Sequence, residues 1–206
     1  MSRAFSDITF TPSVKAAQTL YGSREANQGF EFATDTRHEL TENEAKFISE
    51  RDSFYQATVS ETGWPYVQHR GGVMGFLKVL DKNTLGFADF RGNVQYVSVG
   101  NLMANDRISL ILMDYANRRR LKVWGRVRIA HEDTEPELIA RLEEPSYRAR
   151  VERGIIITVE AIDWNCPQHI TRRFTAQQIE SVTSALKAEN AQLQQQIAEL
   201  TARLAQ

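Results

Sequence analysis

Apolar positions recur along this chain with two different periods, and the change of period divides it. In the first fifty residues the spacing is helical. Thr11-Pro12 supplies an N-cap followed by proline at the first helical position, which predicts a helix to about Tyr21 with Gly22 as its stop. Thr41 and Glu44 have the spacing of a capping box and predict a second helix over Glu42 to Arg51, burying Ala45, Phe47 and Ile48. A polar connector joins the two. From Phe54 the period falls to two. Phe54 to Val59, a turn at Glu61-Thr-Gly63 and Trp64 to Arg70 predict a β-hairpin. Phe76 to Leu80, a turn at Asp81-Lys-Asn83 and Leu85 to Phe90 predict another, punctuated by Gly71-Gly72 and Gly75.

A helix is expected over Val94 to Ala104, weakened by Gly100, and a buried strand over Arg107 to Met113. The stretch from Arg119 alternates plainly, with Leu121, Val123, Val127 and Ile129 on one face and Lys122, Trp124, Arg126 and Arg128 on the other. Glu135 to Arg153 reads as helical, interrupted by Pro145, before the β-branched run Ile155 to Val159. Strands at short spacing with few crossover helices favour an antiparallel barrel over a doubly wound sheet.

The last thirty residues change period again. Ile179, Leu186, Leu193 and Leu200 stand seven apart, and Thr183, Asn190, Ile197 and Leu204 follow each by four. With the first set at d and the second at a, this predicts a coiled coil. Asn190 at an a position favours two parallel strands in one register. Three segments result: a helical N-terminal extension over residues 1–52, a barrel over 53–174 and a coiled-coil helix over 175–206.

Composition narrows the function. The chain has 206 residues, 25 basic and 26 acidic side chains and a net charge of −1, which argues against a whole-protein electrostatic role on nucleic acid or membrane. Anion recognition must therefore be local. The one cysteine, Cys166, allows neither an intrachain disulfide nor a multi-cysteine metal site and fits a reducing, cytoplasmic setting. No stretch approaches the roughly 20 apolar residues of a membrane span, and the N-terminus lacks an apolar export signal.

Three polar clusters could carry chemistry. Gln68-His69-Arg70-Gly71-Gly72 and Asp89-Phe90-Arg91-Gly92-Asn93-Val94-Gln95 offer donors, acceptors and close backbone approach in neighbouring hairpins, which suits a ligand with a phosphate and a planar ring. Solvated glycine turns explain them equally well. Arg118-Arg119-Arg120, Lys122, Arg126 and Arg128 could clamp a phosphate, although the solvated face of an alternating strand accounts for most of them. Trp164 to Arg173 places Cys166 and His169 three apart, a spacing that specifies neither a nucleophile nor a metal site. It reads better as a turn or a cap over a ligand.

With these segments in place, Phe54 to Phe174 resembles the pyridoxamine 5′-phosphate oxidase-like family of FMN-binding split barrels. The resemblance rests on the order and spacing of Gly63-x-Pro65, Gln68 to Gly72, Gly75 to Asp81, Leu85 to Phe90, Gly92-Asn93-x-Gln95, Gly100 to Leu102, Asn105 to Arg107 and Leu121 to Gly125. It implies a mainly β fold with flanking helices, an antiparallel split barrel, and FMN in a cleft between two copies of the chain. Gln68, His69 and Arg70 then run beside the flavin ring and ribityl chain, and Lys78 becomes a partner for the ring system. Asp89 and Phe90 fall where family backbone groups meet the flavin, and Asn93 and Gln95 fall on the phosphate loop. The family's basic pair is replaced here by Val94-Gln95, so Arg119, Arg120 or Arg91 must compensate. Trp124 and His169 complete the expected cofactor contacts. The arginine- and tryptophan-containing end of true pyridoxamine phosphate oxidases is absent, which directs the reading to an oxidoreductase of another small molecule. No catalytic residue is assigned. The alternative is a non-catalytic flavin- or haem-binding redox sensor or stress protein, and a deazaflavin is an alternative cofactor.

Overall fold

Burial alternates along the strands as the period-two pattern requires. On the first strand, β1 (Ser53–Val59), Phe54, Gln56 and Thr58 point into the core. The computed structural model describes residues 4–32, 38–164 and 167–205. Beside β1 run β2 (Pro65–Gly71), β3 (Lys78–Asp81), β4 (Thr84–Phe90), β5 (Arg107–Asp114), β6 (Arg119–Ala130) and β7 (Val151–Trp164). They form one seven-stranded sheet in the order β2-β1-β5-β6-β7-β4-β3, antiparallel in every pairing. β2 and β3 are its edges, so the sheet is not closed by pairing. This is the antiparallel split barrel, with flanking helices, that the sequence predicts.

The core lies inside the curved sheet. Phe54 stacks on Phe76 at 5.4 Å and meets Phe87 edge-on at 5.2 Å. Leu85, Leu110, Leu112, Leu121, Val123 and Ile157 are wholly buried around them. A smaller cluster forms where α6 (Pro136–Leu142) packs on β4 and β7. A Cβ at Gly86 or Gly154 would stand 2.8 Å from a Leu142 methyl, so glycine is what lets α6 approach this closely.

The N-terminal residues fold as α1 (Ala4–Thr9), α2 (Pro12–Leu20), α3 (Arg24–Phe32) and α4 (Glu42–Ser49). α2 opens on the expected cap, with the Thr11 hydroxyl accepting from the Val14 N–H. α4 has the expected capping box. Phe47 and Ile48 are buried in the barrel core, whereas Ala45 is only half-buried and its neighbour Glu44 takes the buried position.

Three expectations need correction. The connector between the first two predicted helices contains α3, a helix whose Glu31 pairs with Lys15 and Arg24 and whose Phe30 packs on Phe5 and Phe10. Apart from Arg24, those partners lie outside α3, so local pattern did not reveal it. The helix predicted to reach Arg153 stops at Leu142. Pro145 has no N–H for a helix and pushes its predecessor out of the α region. The chain has entered β7 by Val151. The helix expected from Val94 begins at Val97 instead, as α5 (Val97–Ala104). Val94 and Tyr96 hold φ of +57° and +52°, conformations no helix contains.

The chain divides into two compact units: Met1–Asp114 with Arg119–Gln168, and Tyr115–Arg118 with His169–Gln206. In the second, the Arg173 guanidinium lies 5.1 Å over the Tyr115 ring, and α7 (Ala176–Leu204) runs for 29 residues. A reciprocal capping box starts α7: the Thr175 hydroxyl accepts from the Gln178 N–H, and the Gln178 side chain accepts from the Thr175 N–H. No residue of α7 is buried. Among the described residues, no helix is long and apolar enough to cross a membrane.

Candidate functional site

The short helix α5 is fixed by two polar residues one turn apart. The Ser98 hydroxyl donates to the Gln68 side-chain oxygen on β2 at 2.8 Å, and the Asn101 amide donates to the Thr58 hydroxyl on β1 at 3.0 Å. Leu102 is buried on the same face. The N-terminus of α5 is thereby held against the edge of the sheet. The side chain of its N-cap residue, Tyr96, makes no capping hydrogen bond. Its first N–H groups have no acceptor within the helix, and the helix dipole makes them partly positive.

The loop leading into this end is strained. Left-handed backbone at a β-branched residue such as Val94 is a true outlier, and such strain concentrates at ligand sites. Between the two left-handed residues, the Gln95 N–H donates to the Asn93 side-chain oxygen at 3.2 Å.

β2, the end of β4, this loop and the first turn of α5 enclose a cleft of about 220 Å³. Gln68, Arg70, Asp89, Phe90, Asn93 and Gln95 all line it. Alternation along β2 puts Gln68 and Arg70 on the cleft side. Asp89 is 3 % exposed and anchors the wall. One of its oxygens accepts from Arg70 at 2.7 Å, and the other accepts from Arg153, its cross-strand neighbour on β7, at 2.9 Å. Arg153 also bonds Glu152 and stacks 5.0 Å over the Tyr96 ring, and the Tyr96 hydroxyl donates to Glu152. Arg91 lies 3.9 Å from Glu152 at the rim. Three cations thus face two anions, and the Arg70 Nε is buried without a partner among the described residues.

The other predicted site residues lie elsewhere. His69 is on the opposite face of β2 and meets the Tyr55 ring edge-on at 5.4 Å. Lys78 sits on the edge strand β3 in an ion pair with Glu144. Arg119 stacks over Phe47 and Trp164 at 5.2 and 4.7 Å. Arg120 is the second residue of β6, its Nε buried without a partner among the described residues. Trp124 is covered by Phe5 of α1 at 5.3 Å. His169 belongs to the second unit, and Cys166 lies outside the described residues. The three remaining cations on β6 are paired: Lys122 with Asp163, Arg126 with Asp106 and Glu160, and Arg128 with Glu135.

Near Arg119 lies a second buried carboxylate. Glu44 accepts from the Thr41 N–H and hydroxyl, the Asn43 amide and the Trp164 indole N–H, the last at 2.5 Å, tying α4 to the end of β7. Burial alone would raise its pKa, but these donors together hold it below the usual carboxylate range. This cluster is structural. A larger, open groove of about 750 Å³ near Glu61, Met103 and Arg107 is lined by Arg126 of the basic cluster, but by none of the residues that the resemblance assigns to the cofactor.

Among the polar side chains that line the cleft, sequence reasoning missed Tyr66, Tyr96, Ser98 and Glu152, and it missed Arg153, which holds Asp89 in the wall. Ser98 sits one turn before Asn101 within the predicted helix, so a polar face toward the sheet was the available signal. Glu152 and Arg153 were hidden by the expectation of a helix there.

Among curated proteins none matches the chain. Solved structures with the same fold include HupZ from Group A Streptococcus, 18% identical, with a TM-score of 0.50 over 66% of this chain and 99% of that one. A variant of HupZ is 20% identical, with a TM-score of 0.50 over 61% and 98%. An FMN-binding protein from Syntrophomonas wolfei subsp. wolfei is 15% identical, with a TM-score of 0.46 over 75% and 95%. The family model described as pyridoxamine 5′-phosphate oxidase matches residues 40–166, from just before α4 to just past β7. More than half the chain, including every element of the barrel and its cleft, is covered by that match, and the protein belongs to the pyridoxamine 5′-phosphate oxidase family.

Proposed function

We propose that the protein binds FMN in the cleft between β2, β4 and α5 and works as an oxidoreductase, passing hydride or electrons between a reduced donor and a small molecule. The observation that carries this reading is the uncapped, strained N-terminus of α5 beside Arg70. Backbone N–H groups at a helix start form an anion site, and a guanidinium with an unpartnered buried donor adds a charge-assisted bond. The family's basic pair is missing, yet this donor set fits a phosphate: α5 amides, Arg70, and the amide side chains of Asn93 and Gln95.

When bound, FMN supplies a carrier that accepts and returns two electrons. The chain's residues bind and orient it. Asp89 holds Arg70 at the wall, and Ser98 fixes the Gln68 oxygen, leaving the Gln68 amide N–H groups for a ring or ribityl acceptor. No general acid or base is required of the chain for hydride transfer, and we assign none.

The cleft's 220 Å³ falls below the roughly 300–1,000 Å³ usual for sites of this kind. One chain therefore supplies part of the site, and a second copy completing it is part of the proposal. Haem fits this cleft less well, because a haem iron needs an axial ligand and His69 faces away from Gln68 and Arg70. The decisive experiment is anaerobic addition of NADH or NADPH to the FMN-loaded protein. Loss of flavin absorbance is expected. A protein that holds FMN but is reduced neither by nicotinamides nor by any other physiological donor would overturn the oxidoreductase reading and leave a flavin-binding sensor.

A further inference from the structure

We infer that α7 is an interaction element that pairs, parallel and in register, with α7 of a second copy of this chain. This inference is independent of flavin binding. The helix is 29 residues, about 43 Å at 1.5 Å per residue. None of its residues is buried, yet Ile179, Leu186, Leu193, Ile197, Leu200 and Leu204 are each 50% exposed or more. On a helix these positions fall on one stripe. The b, c and f positions, in contrast, carry mostly Ala, Gln and Ser. A stripe of this length facing water marks an interaction surface. Pairing two copies would bury twelve Leu and Ile side chains.

The sequence of the stripe selects the partner and its direction. The a positions include β-branched Thr183 and Ile197, and the d positions include Leu186, Leu193 and Leu200, the combination that favours two parallel strands. In a parallel pair, a packs on the partner's a, so each Asn190 amide meets the other and finds a donor and an acceptor. In an antiparallel pair, a packs on the partner's d. Asn190 would then be buried against leucine with no partner, which costs free energy. The flanking positions raise no objection. Parallel pairing sets Val182 against Lys187, Glu189 against Gln194, and Gln196 against Thr201, with no like charges opposed. Glu180 and Lys187 are joined at 2.8 Å on the same helix. The capping box at Thr175 and Gln178 starts the helix at the same residue in each copy, so an in-register pair is matched from its first turn.

The test uses full-length protein carrying Cys166→Ser with Leu200→Cys. A disulfide needs Cα atoms within about 7 Å. In a parallel, in-register pair the two cysteines face each other at a d layer, so mild oxidation should convert most of the protein to covalent dimer. In an antiparallel pair, position 200 lies opposite the first turns of the partner helix and no disulfide forms. No covalent dimer from a folded protein overturns the proposal, whether the cause is antiparallel pairing or an unpaired helix. Adding Leu193→Asp to the same chain should abolish the cross-link, with the barrel's thermal unfolding unchanged. If it cross-links as before, the bond reflects chance encounter and the proposal fails.

Discussion

Asp89 is the residue on which the cleft's geometry most depends, and Asp89→Asn isolates its charge. The carboxylate is buried and accepts from Arg70 at 2.7 Å and from Arg153 at 2.9 Å. The two guanidiniums are only 17% and 13% exposed. Asparagine keeps the size of the side chain and one acceptor oxygen. It leaves two guanidiniums converging on a neutral group, Arg70 without its counter-charge and Arg153 with Glu152 alone. Removing one partner of a buried ion pair costs about 3 to 5 kcal/mol, and the residual exposure of both arginines favours the lower end, about 3 kcal/mol. For a domain of this size that is a fall of about 6–12 °C in unfolding midpoint. Thermal unfolding followed by circular dichroism measures it. Arg153→Met should lose much of its own cost when made in the Asp89→Asn background, since the pair acts as a unit. A midpoint shift under about 2 °C, or strict additivity of the two substitutions, would refute the view that Asp89 is the electrostatic anchor of this wall.

Two further outcomes test neighbouring parts of the account. Glu44→Gln should destabilise by about 1–2 kcal/mol at pH 7, since a buried charged acceptor with four donors is lost. Because the folded carboxyl titrates below the ordinary value of about 4.3, its contribution is complete above that pH and is lost as pH falls through the folded pKa. The gap between wild type and variant should therefore close in acid, and a gap constant from neutral to strongly acid pH would contradict the assignment. Val94→Gly should raise the unfolding midpoint, because glycine adopts φ of +57° without the strain of roughly 1–3 kcal/mol that a β-branched residue carries there. A fall in midpoint would mean that Val94 contributes more through packing than it costs in backbone strain.

Much of the architecture was legible because it is written in local period and punctuation. The alternation in β1 and β6, the Glu61-Thr-Gly63 turn with Gly63 at φ +85°, and the Thr41–Glu44 box are each decided by neighbours within a few residues. The resemblance placed six residues that do converge on one cleft: Gln68, Arg70, Asp89, Phe90, Asn93 and Gln95. What was not legible depends on long-range pairing. Arg153 reaches Asp89 only because β7 lies beside β4 in one register, and Arg119 turns to Trp164 because α4 brings Phe47 there. Strain at Val94 and Tyr96 leaves no mark in a sequence, where a glycine would have announced the turn. The tail is the opposite case. Its seam was plain in the sequence, and the structure adds that the helix is continuous and its stripe uncovered.

The central claim is that the start of α5, with Arg70, is a phosphate cradle for a flavin. Side-by-side equilibrium titration of the protein with FMN and with riboflavin, read by quenching of flavin fluorescence, tests it most directly. The two ligands share the ring and differ in the phosphate. A few charge-assisted hydrogen bonds at about 1.5–3 kcal/mol each predict FMN binding at least about tenfold tighter than riboflavin. Equal affinity for the two, or uptake of neither, would contradict the claim.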